Sequence, residues 1–422
     1  MRGDIRVKYL ISGGKKLEGQ VSIAGAKNSI LPILAASLLS KGICSIHNLP
    51  QLRDVEMMGN VLKYLGASFI RKTNSSVDID SSGVSAISVT VDLMRMLRAS
   101  NLVMGPLLSR FGEVRVPFPG GCDIGSRPMD LHLKAFEKMG AQITDRHGFI
   151  YAKALYLSGA DIHLDFPSVG ATENIMMAGT LAKGTTIIRN AAREPEIVDL
   201  QNFLNGMGAR IKGAGTDTIR IDGVPELRGS EHSVIPDRIE AGTYLLAGAI
   251  SGGKITLTDV IPEHLEPVIA KLREMGAVIY SDSNKLHLVK STLLKPVDIK
   301  TLPYPGFPTD MQSQMMALLA TVPGSSLVIE TIFENRYKHV SELRRMGANI
   351  KIEGRAAIIK GVENLSGAVV TATDLRAGAA LIIAGLSAQG ETLVENSQFI
   401  QRGYDKIEIK LRQIGAHIQL VK

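Results

Sequence analysis

The sequence predicts a mixed α/β protein of two domains, each holding three copies of one helix-and-strand unit. Three observations carry that reading. The chain has 422 residues, 45% of them apolar and 21% charged, which is enough for sizeable cores and more than one core ordinarily supports. A Gly-Ala pair at the end of an amphipathic stretch recurs six times, at intervals of 68 to 74 residues. Each pair is followed by an alternating run of the kind that forms a half-buried strand.

The six copies read KYLGASF, EKMGAQI, NGMGARI, REMGAVI, RRMGANI and RQIGAHI, with glycines at Gly66, Gly140, Gly208, Gly276, Gly347 and Gly415. Before Gly276, the residues Leu265, Val268, Ile269, Leu272 and Met275 share one helical face, and Ala277-Val278-Ile279-Tyr280 follows as a strand. Glycine therefore stands where a helix C-terminus calls for a left-handed residue. Upstream in most copies lies a small-residue apolar helix, then a glycine turn and a β-branched strand, as in LAKGTTIIRN, ISGGKITLTD and LSAQGETLVEN. Units of about 70 residues are too long for the common solenoid repeats and suit two domains of three units. The β-branched segments argue against an all-helical scaffold.

Composition narrows the function classes. A net charge of +7 favours an anionic partner, whether nucleic acid, acidic surface or phosphorylated metabolite. The Lys and Arg residues are scattered, Trp is absent and aromatics are 5%, which leaves little for a nucleic-acid stacking platform. Met1-Arg2-Gly3-Asp4 lacks the apolar core of a signal peptide, and the longest apolar stretch, near Ile30 to Leu39, is short of the ~18 residues a membrane span needs. A cytoplasmic protein with no membrane partner is expected. Cys44 and Cys122 form no C-x-x-C pair, so neither a disulfide framework nor a cysteine zinc site is indicated. Gly213-Ala214-Gly215 lacks the third glycine of a dinucleotide fingerprint, Thr218 standing there, and no G-x-x-x-x-G-K-[ST], H-E-x-x-H or G-x-S-x-G occurs.

Four segments concentrate chemistry. Pro117 to Pro128 combines three glycines and three prolines with Cys122 and Arg127, the composition of a loop that approaches a ligand closely. Arg127 would favour the thiolate of Cys122. Gly25-Ala26-Lys27-Asn28, Phe307 to Gln312 and Thr373-Asp374-Leu375-Arg376-Ala377 each stand just before a small-residue helix. Free N–H groups and dipole at such helix starts suit a multiply anionic ligand. Equally, Asn28, Asp310 and Asp374 fit plain helix caps. Spacing alone does not bring these segments together.

Across nearly the whole chain, the sequence resembles the UDP-N-acetylglucosamine 1-carboxyvinyltransferases among the enolpyruvyl transferases. The resemblance rests on Gly25-Ala26-Lys27-Asn28, Leu97-Arg98-Ala99-Ser100, Pro119 to Pro128, Ser168-Val169-Gly170-Ala171-Thr172, Ala192-Arg193-Glu194-Pro195-Glu196, Phe307 to Gln312, Thr331-Ile332-Phe333-Glu334-Asn335-Arg336, Asp374-Leu375-Arg376 and Arg402-Gly403-Tyr404. It implies a two-domain inside-out α/β barrel of six βαβαββ repeats, with domains at 27–234 and at 1–26 plus 235–422. It also implies transfer of an enolpyruvyl group from phosphoenolpyruvate to the 3-hydroxyl of UDP-N-acetylglucosamine by addition and elimination, the first committed step of peptidoglycan synthesis, with no metal or organic cofactor.

Carried over residue by residue, the resemblance makes Cys122 the reactive cysteine and predicts alkylation by fosfomycin. Lys27, Asn28, Arg127 and Arg402 would hold phosphoenolpyruvate, a task that suits guanidinium forks and a compact ammonium. Asp310 would face the attacking sugar hydroxyl as general base, supported by Asp374 and Arg376, with Arg336 lining the cavity. Arg98, Arg127, Pro128, Met129, Asp130, Leu131, Ser168, Val169, Gly170, Asp310 and Ile332 would contact the nucleotide sugar. Ser29, Met129 and Phe118 depart from the commoner alanine, valine or isoleucine, and leucine. The sister transferase acting on shikimate 3-phosphate shares the repeats but opens with Gly-Ser-Lys-Ser and lacks the loop cysteine. A noncatalytic phosphate- or RNA-binding repeat protein is the remaining alternative.

Overall fold

The computed structural model describes residues 7–118, 129–290 and 293–421, less the side chains of Arg98 and Lys290. The described residues fall into two units, one made of 25–118 and 129–235, the other of 7–24 and 236–421. Each has its own apolar core.

Every unit repeats one pattern three times: strand, inner helix, strand, outer helix, then a two-strand hairpin. The repeat at residues 161–222 shows it plainly, as Asp161–His163, Val169–Gly179, Thr185–Arg189, Pro195–Gly206, Arg210–Lys212 and Thr218–Asp222. Asp161–His163 lies parallel to Thr185–Arg189 at one edge, and the other pairings are antiparallel. Among the described residues, five of the six sheets have four strands. The sixth, around Glu113–Pro117, has three, and a single parallel bridge from Ser88 to Arg115 stands where the fourth would be.

Strands borrowed across long sequence distances close each unit on itself. Glu231–Ser233, near the end of one unit, runs parallel to Ile43–His47 near its start. In the other unit, Glu18–Ser22 runs parallel to Lys254–Thr258, and Lys8–Ser12 sits between Glu391–Glu395 and His417–Val421.

The inner helices carry small and apolar residues all round because they are enclosed all round. Every residue of Gln312–Leu319 is buried, as are all but Leu375 and Ser387 of Leu375–Ser387. The sheets lie outside them in each unit, with strands such as Lys254–Thr258 alternating between the core and the surface. Cys44 sits on such a strand, and burial pushes its thiol up.

The six Gly-Ala pairs end the outer helices as the sequence predicts. Their glycines have φ between 92° and 104°, and each following alanine N–H bonds the carbonyl five residues back, at 2.9 to 3.0 Å. That pair of features is the Schellman C-cap, which only glycine enters without Cβ strain.

Candidate active site

Each unit holds a cluster of the residues expected from the sequence. In the unit built from 25–235, the helix Lys27–Ala36 begins at Lys27, and its N-cap Ala26 offers no side-chain bond. Asn28 therefore lies inside the first turn and does not cap it. The Lys27 ammonium sits 2.7 Å from Asp54 Oδ2, with the side chains 12% and 2% exposed. An ammonium so nearly enclosed needs a fixed counter-charge, and Asp54 supplies it from the first turn of Arg53–Leu65. One residue further along, Ser29 donates from Oγ to Asp199. Asp199 also meets His232 Nε2 at 2.9 Å and accepts from the Ile235 N–H at 3.2 Å. The turn bearing Lys27 and Asn28 is thus tied down by two buried carboxylates.

Of the residues expected to contact the nucleotide sugar, Met129, Asp130, Leu131, Ser168, Val169 and Gly170 lie in the same unit at two helix starts. Met129 is buried and accepts from Asn101 Nδ2 at 3.2 Å, while Asp130 is half exposed and Leu131 packs on the core. Ser168 caps Val169–Gly179 through its hydroxyl, which accepts from the Ala171 N–H at 3.3 Å. Gly170 brings that helix start against the first turn of Asp130–Lys138, since a Cβ there would lie 3.4 Å from His132 Cε1. His132 is buried and bonded through Nδ1 to Asn174 Nδ2 at 3.0 Å. Burial pushes its pKa down to about 4, only partly opposed by Asp130. Cys122, Arg127 and Pro128 lie outside the described residues, and so does the Arg98 side chain.

The other unit builds a charged cluster around Asp310, in the short turn Thr309–Met311 that leads into Gln312–Leu319. Arg336 donates through Nη2 to Asp310 Oδ1 at 2.9 Å, and Arg376 donates through Nη2 to Oδ2 at 2.8 Å. Both arginine side chains are buried, at 2% and 4%, whereas Asp310 is 25% exposed. Each carboxylate oxygen takes one guanidinium, Oδ1 from Arg336 and Oδ2 from Arg376. Burial alone would lower the Arg376 pKa, but Asp310, Tyr404 and Asp237 outweigh it and raise it. The guanidinium lies 5.6 Å from the centre of the Tyr404 ring. The Tyr404 hydroxyl shares a hydrogen bond with Thr243 Oγ1 at 2.9 Å and receives one from Gln314 Nε2 at 3.2 Å.

Asp374 has a different job. Its Oδ1 accepts from the N–H groups of Arg376 and Ala377 at 2.8 and 3.0 Å, so it caps Leu375–Ser387 and fixes the turn that aims Arg376. His339, fully buried, meets the Arg336 carbonyl through Nδ1 at 3.2 Å. Its pKa is pushed down to about 4 by burial, with Asp374 opposing and Arg336 reinforcing the shift. Arg402 ends the turn Ser397–Arg402 and Ile332 follows the strand Ser325–Ile329; both are partly exposed.

Sequence reasoning missed Asp54, Asp199, His132, His339 and Glu330. A signal existed for the first two, since each is an acidic residue among the apolar buried positions of its helix, Asp54 with Met58, Val61 and Leu65, and Asp199 with Leu200, Phe203 and Leu204. Among the described residues no group of three or more His, Cys, Asp or Glu side chains is arranged to hold a metal ion.

Comparison with known proteins gives a consistent picture. The family described as EPSP synthase (3-phosphoshikimate 1-carboxyvinyltransferase) matches residues 11–411. Two proteins of Carboxydothermus hydrogenoformans, named UDP-N-acetylglucosamine 1-carboxyvinyltransferase 1 and 2, are 55% and 57% identical to this chain, covering 98% of it and 98% and 99% of themselves. The protein of that name from Halothermothrix orenii is 54% identical over 98% of this chain and 100% of its own. Among solved structures, the enolpyruvyl transferase NikO from Streptomyces tendae superposes with a TM-score of 0.88 at 25% identity, over 99% of each chain. The EPSP synthase of Acinetobacter baumannii has the same fold, with a TM-score of 0.75 at 19% identity over 99% of this chain and 100% of its own.

Proposed function

Because this chain belongs to the UDP-N-acetylglucosamine 1-carboxyvinyltransferases, a branch of the EPSP synthase family, we propose that it moves the enolpyruvyl group of phosphoenolpyruvate onto the 3-hydroxyl of UDP-N-acetylglucosamine. The sugar oxygen adds to C2 of phosphoenolpyruvate while C3 gains a proton. The resulting tetrahedral intermediate then loses the C3 proton and breaks its C2–O bond to phosphate, leaving the enol ether. That reaction commits the nucleotide sugar to peptidoglycan, and we place it in the cytoplasm. No helix among the described residues is long and apolar enough to cross a membrane.

The single observation that carries the residue roles is Asp310 spanned by Arg336 and Arg376. The two guanidiniums fix the carboxylate plane, and the partly exposed Asp310 would present it to the attacking hydroxyl as a general base. Lys27, held by Asp54, would bind phosphate or carboxylate of phosphoenolpyruvate with Asn28, Arg127 and Arg402, and these cations would stabilise the charge that develops in the intermediate. Cys122 would serve as the acid toward C3 or in product release. Asp374 supports the centre through the turn of Arg376. Met129, Asp130, Leu131, Ser168, Val169, Gly170 and Ile332, with Arg98, Arg127 and Pro128, would seat the nucleotide sugar. The functional domains on this reading are 27–234 and 1–26 plus 235–422.

The deciding experiment is phosphate release from phosphoenolpyruvate with either UDP-N-acetylglucosamine or shikimate 3-phosphate as acceptor. Release with the nucleotide sugar alone, lost in Cys122→Ser and Asp310→Asn, is expected. Release with shikimate 3-phosphate alone would move the chain to the sister activity, and release with neither would remove the function.

A further inference from the structure

Glu330 is fully buried at the end of the strand Ser325–Ile329, and both of its oxygens are engaged. Oε1 accepts from Thr301 Oγ1 at 2.9 Å and from the N–H groups of Ile332 and Phe333 at 2.8 and 3.1 Å. Oε2 accepts from Thr309 Oγ1 at 3.0 Å. The Glu330 N–H meets the Arg355 carbonyl at 2.9 Å and the Tyr337 hydroxyl at 3.1 Å. Burial, and then the charge of Glu330, push the Tyr337 hydroxyl up to about 12.

A carboxylate taken wholly out of water is costly unless its lone pairs are filled, and this one gathers four donors from three separate segments. Two of those segments matter to the reaction. Thr309 precedes Asp310 in the same turn. Ile332 and Phe333 open the stretch that leads to Arg336, and Arg336 Nη2 in turn donates to Thr309 O at 3.3 Å and to Asp310 Oδ1. Opposite oxygens of one side chain therefore hold the base-bearing turn and the sugar-facing backbone.

We propose that Glu330 is a positioning residue for the transfer reaction, setting Asp310 through Thr309 with one oxygen and the Ile332–Phe333 backbone with the other. The inference rests on the functional reading above. It divides by oxygen. Thr309→Val removes only the Oε2 arm at nearly constant volume, while Thr309→Ser keeps it. Glu330→Gln keeps an acceptor for the backbone N–H groups and offers an amide N–H that the Thr309 oxygen accepts, while Glu330→Ala loses both arms.

The test is steady-state kinetics of these four variants with both substrates, beside their melting temperatures. Thr309→Val should lower kcat about tenfold, with KM for UDP-N-acetylglucosamine within about twofold of the parent, because misorientation of a reacting group acts on the transition state. Glu330→Ala should lower kcat and raise KM for the nucleotide sugar about tenfold, while Thr309→Ser and Glu330→Gln stay within about threefold. Folded Thr309→Val and Glu330→Ala proteins with both constants near the parent's would overturn the proposal. So would a kcat loss in Thr309→Val that Thr309→Ser shares together with its fall in melting temperature, which would mean lost packing. A parent that releases no phosphate with the nucleotide sugar would refute the functional reading and this role with it, whereas an active parent with indifferent variants refutes the role alone.

Discussion

Replacing Asp310 by asparagine should cost stability as well as activity, and the size of the loss follows from the cluster. Two guanidiniums meet its oxygens at 2.8 and 2.9 Å. With charge centres near 4 Å and an effective dielectric of about 20, each attraction is worth about 4 kcal/mol before offsets. Repulsion between the arginines and partial exposure of Asp310 reduce the total, and breaking a buried ion pair typically costs about 3–5 kcal/mol. A loss of about 3 kcal/mol is expected, near the low end because Asp310 is 25% exposed. For a unit of this size that corresponds to about 6–12 °C in melting temperature. The assay is a thermal melt of the parent, Asp310→Asn, Arg376→Leu and the double variant at low salt. The double variant should be no less stable than Asp310→Asn, because it also removes a buried charge left without its partner. Additive losses, or a folded Asp310→Asn protein within ~1 kcal/mol of the parent, would refute charge compensation as the role of the carboxylate.

Other sites give independent tests. Asp54→Asn should raise KM for phosphoenolpyruvate about tenfold and leave KM for the nucleotide sugar unchanged, since it frees the Lys27 ammonium from the geometry that presents it; initial rates with each substrate varied would check this. Gly208→Ala forces a Cβ onto a residue at φ 103° with no neighbouring atom to clash, so the cost is backbone strain alone, about 1–2 kcal/mol by denaturant unfolding. His132 and His339 are each held neutral, with pKa pushed down to about 4. Because the unfolded chain takes up these protons first, their contribution is complete above pH ~6.5 and drains away as pH falls toward 4, by up to about 3 kcal/mol each. Melting temperature against pH should therefore fall less steeply for His132→Asn over that window. Fosfomycin should add one adduct by mass spectrometry and abolish phosphate release, with neither effect in Cys122→Ser.

Much of the fold was legible because its signals are local. A Schellman cap needs only a glycine free to take φ near 100° and an alanine behind it, so six Gly-Ala pairs announced six helix ends. Strands were legible as alternation, but the fourth strand of several sheets was not, since Lys8–Ser12 and Glu231–Ser233 pair with segments at the far end of their units. The site divides in the same way. Asn28, Asp310 and Asp374 look alike in sequence, each before a small-residue helix, and pattern alone left caps and ligands unresolved. Asp374 proved to be the cap, while Asp310 faces two arginines 26 and 66 residues away.

By itself, the sequence determined the repeat, the helix ends, the enclosed inner helices and, through resemblance, the family and its chemistry. Each depends on backbone sterics, on side-chain periodicity within a few turns, or on matched residues. Only the tertiary structure decided which charges meet. Asp199 reaches Ser29 across 170 residues, and Glu330 gathers donors from three segments. Such pairings are fixed by how repeats pack, because a buried carboxylate is tolerated only where several distant donors arrive together.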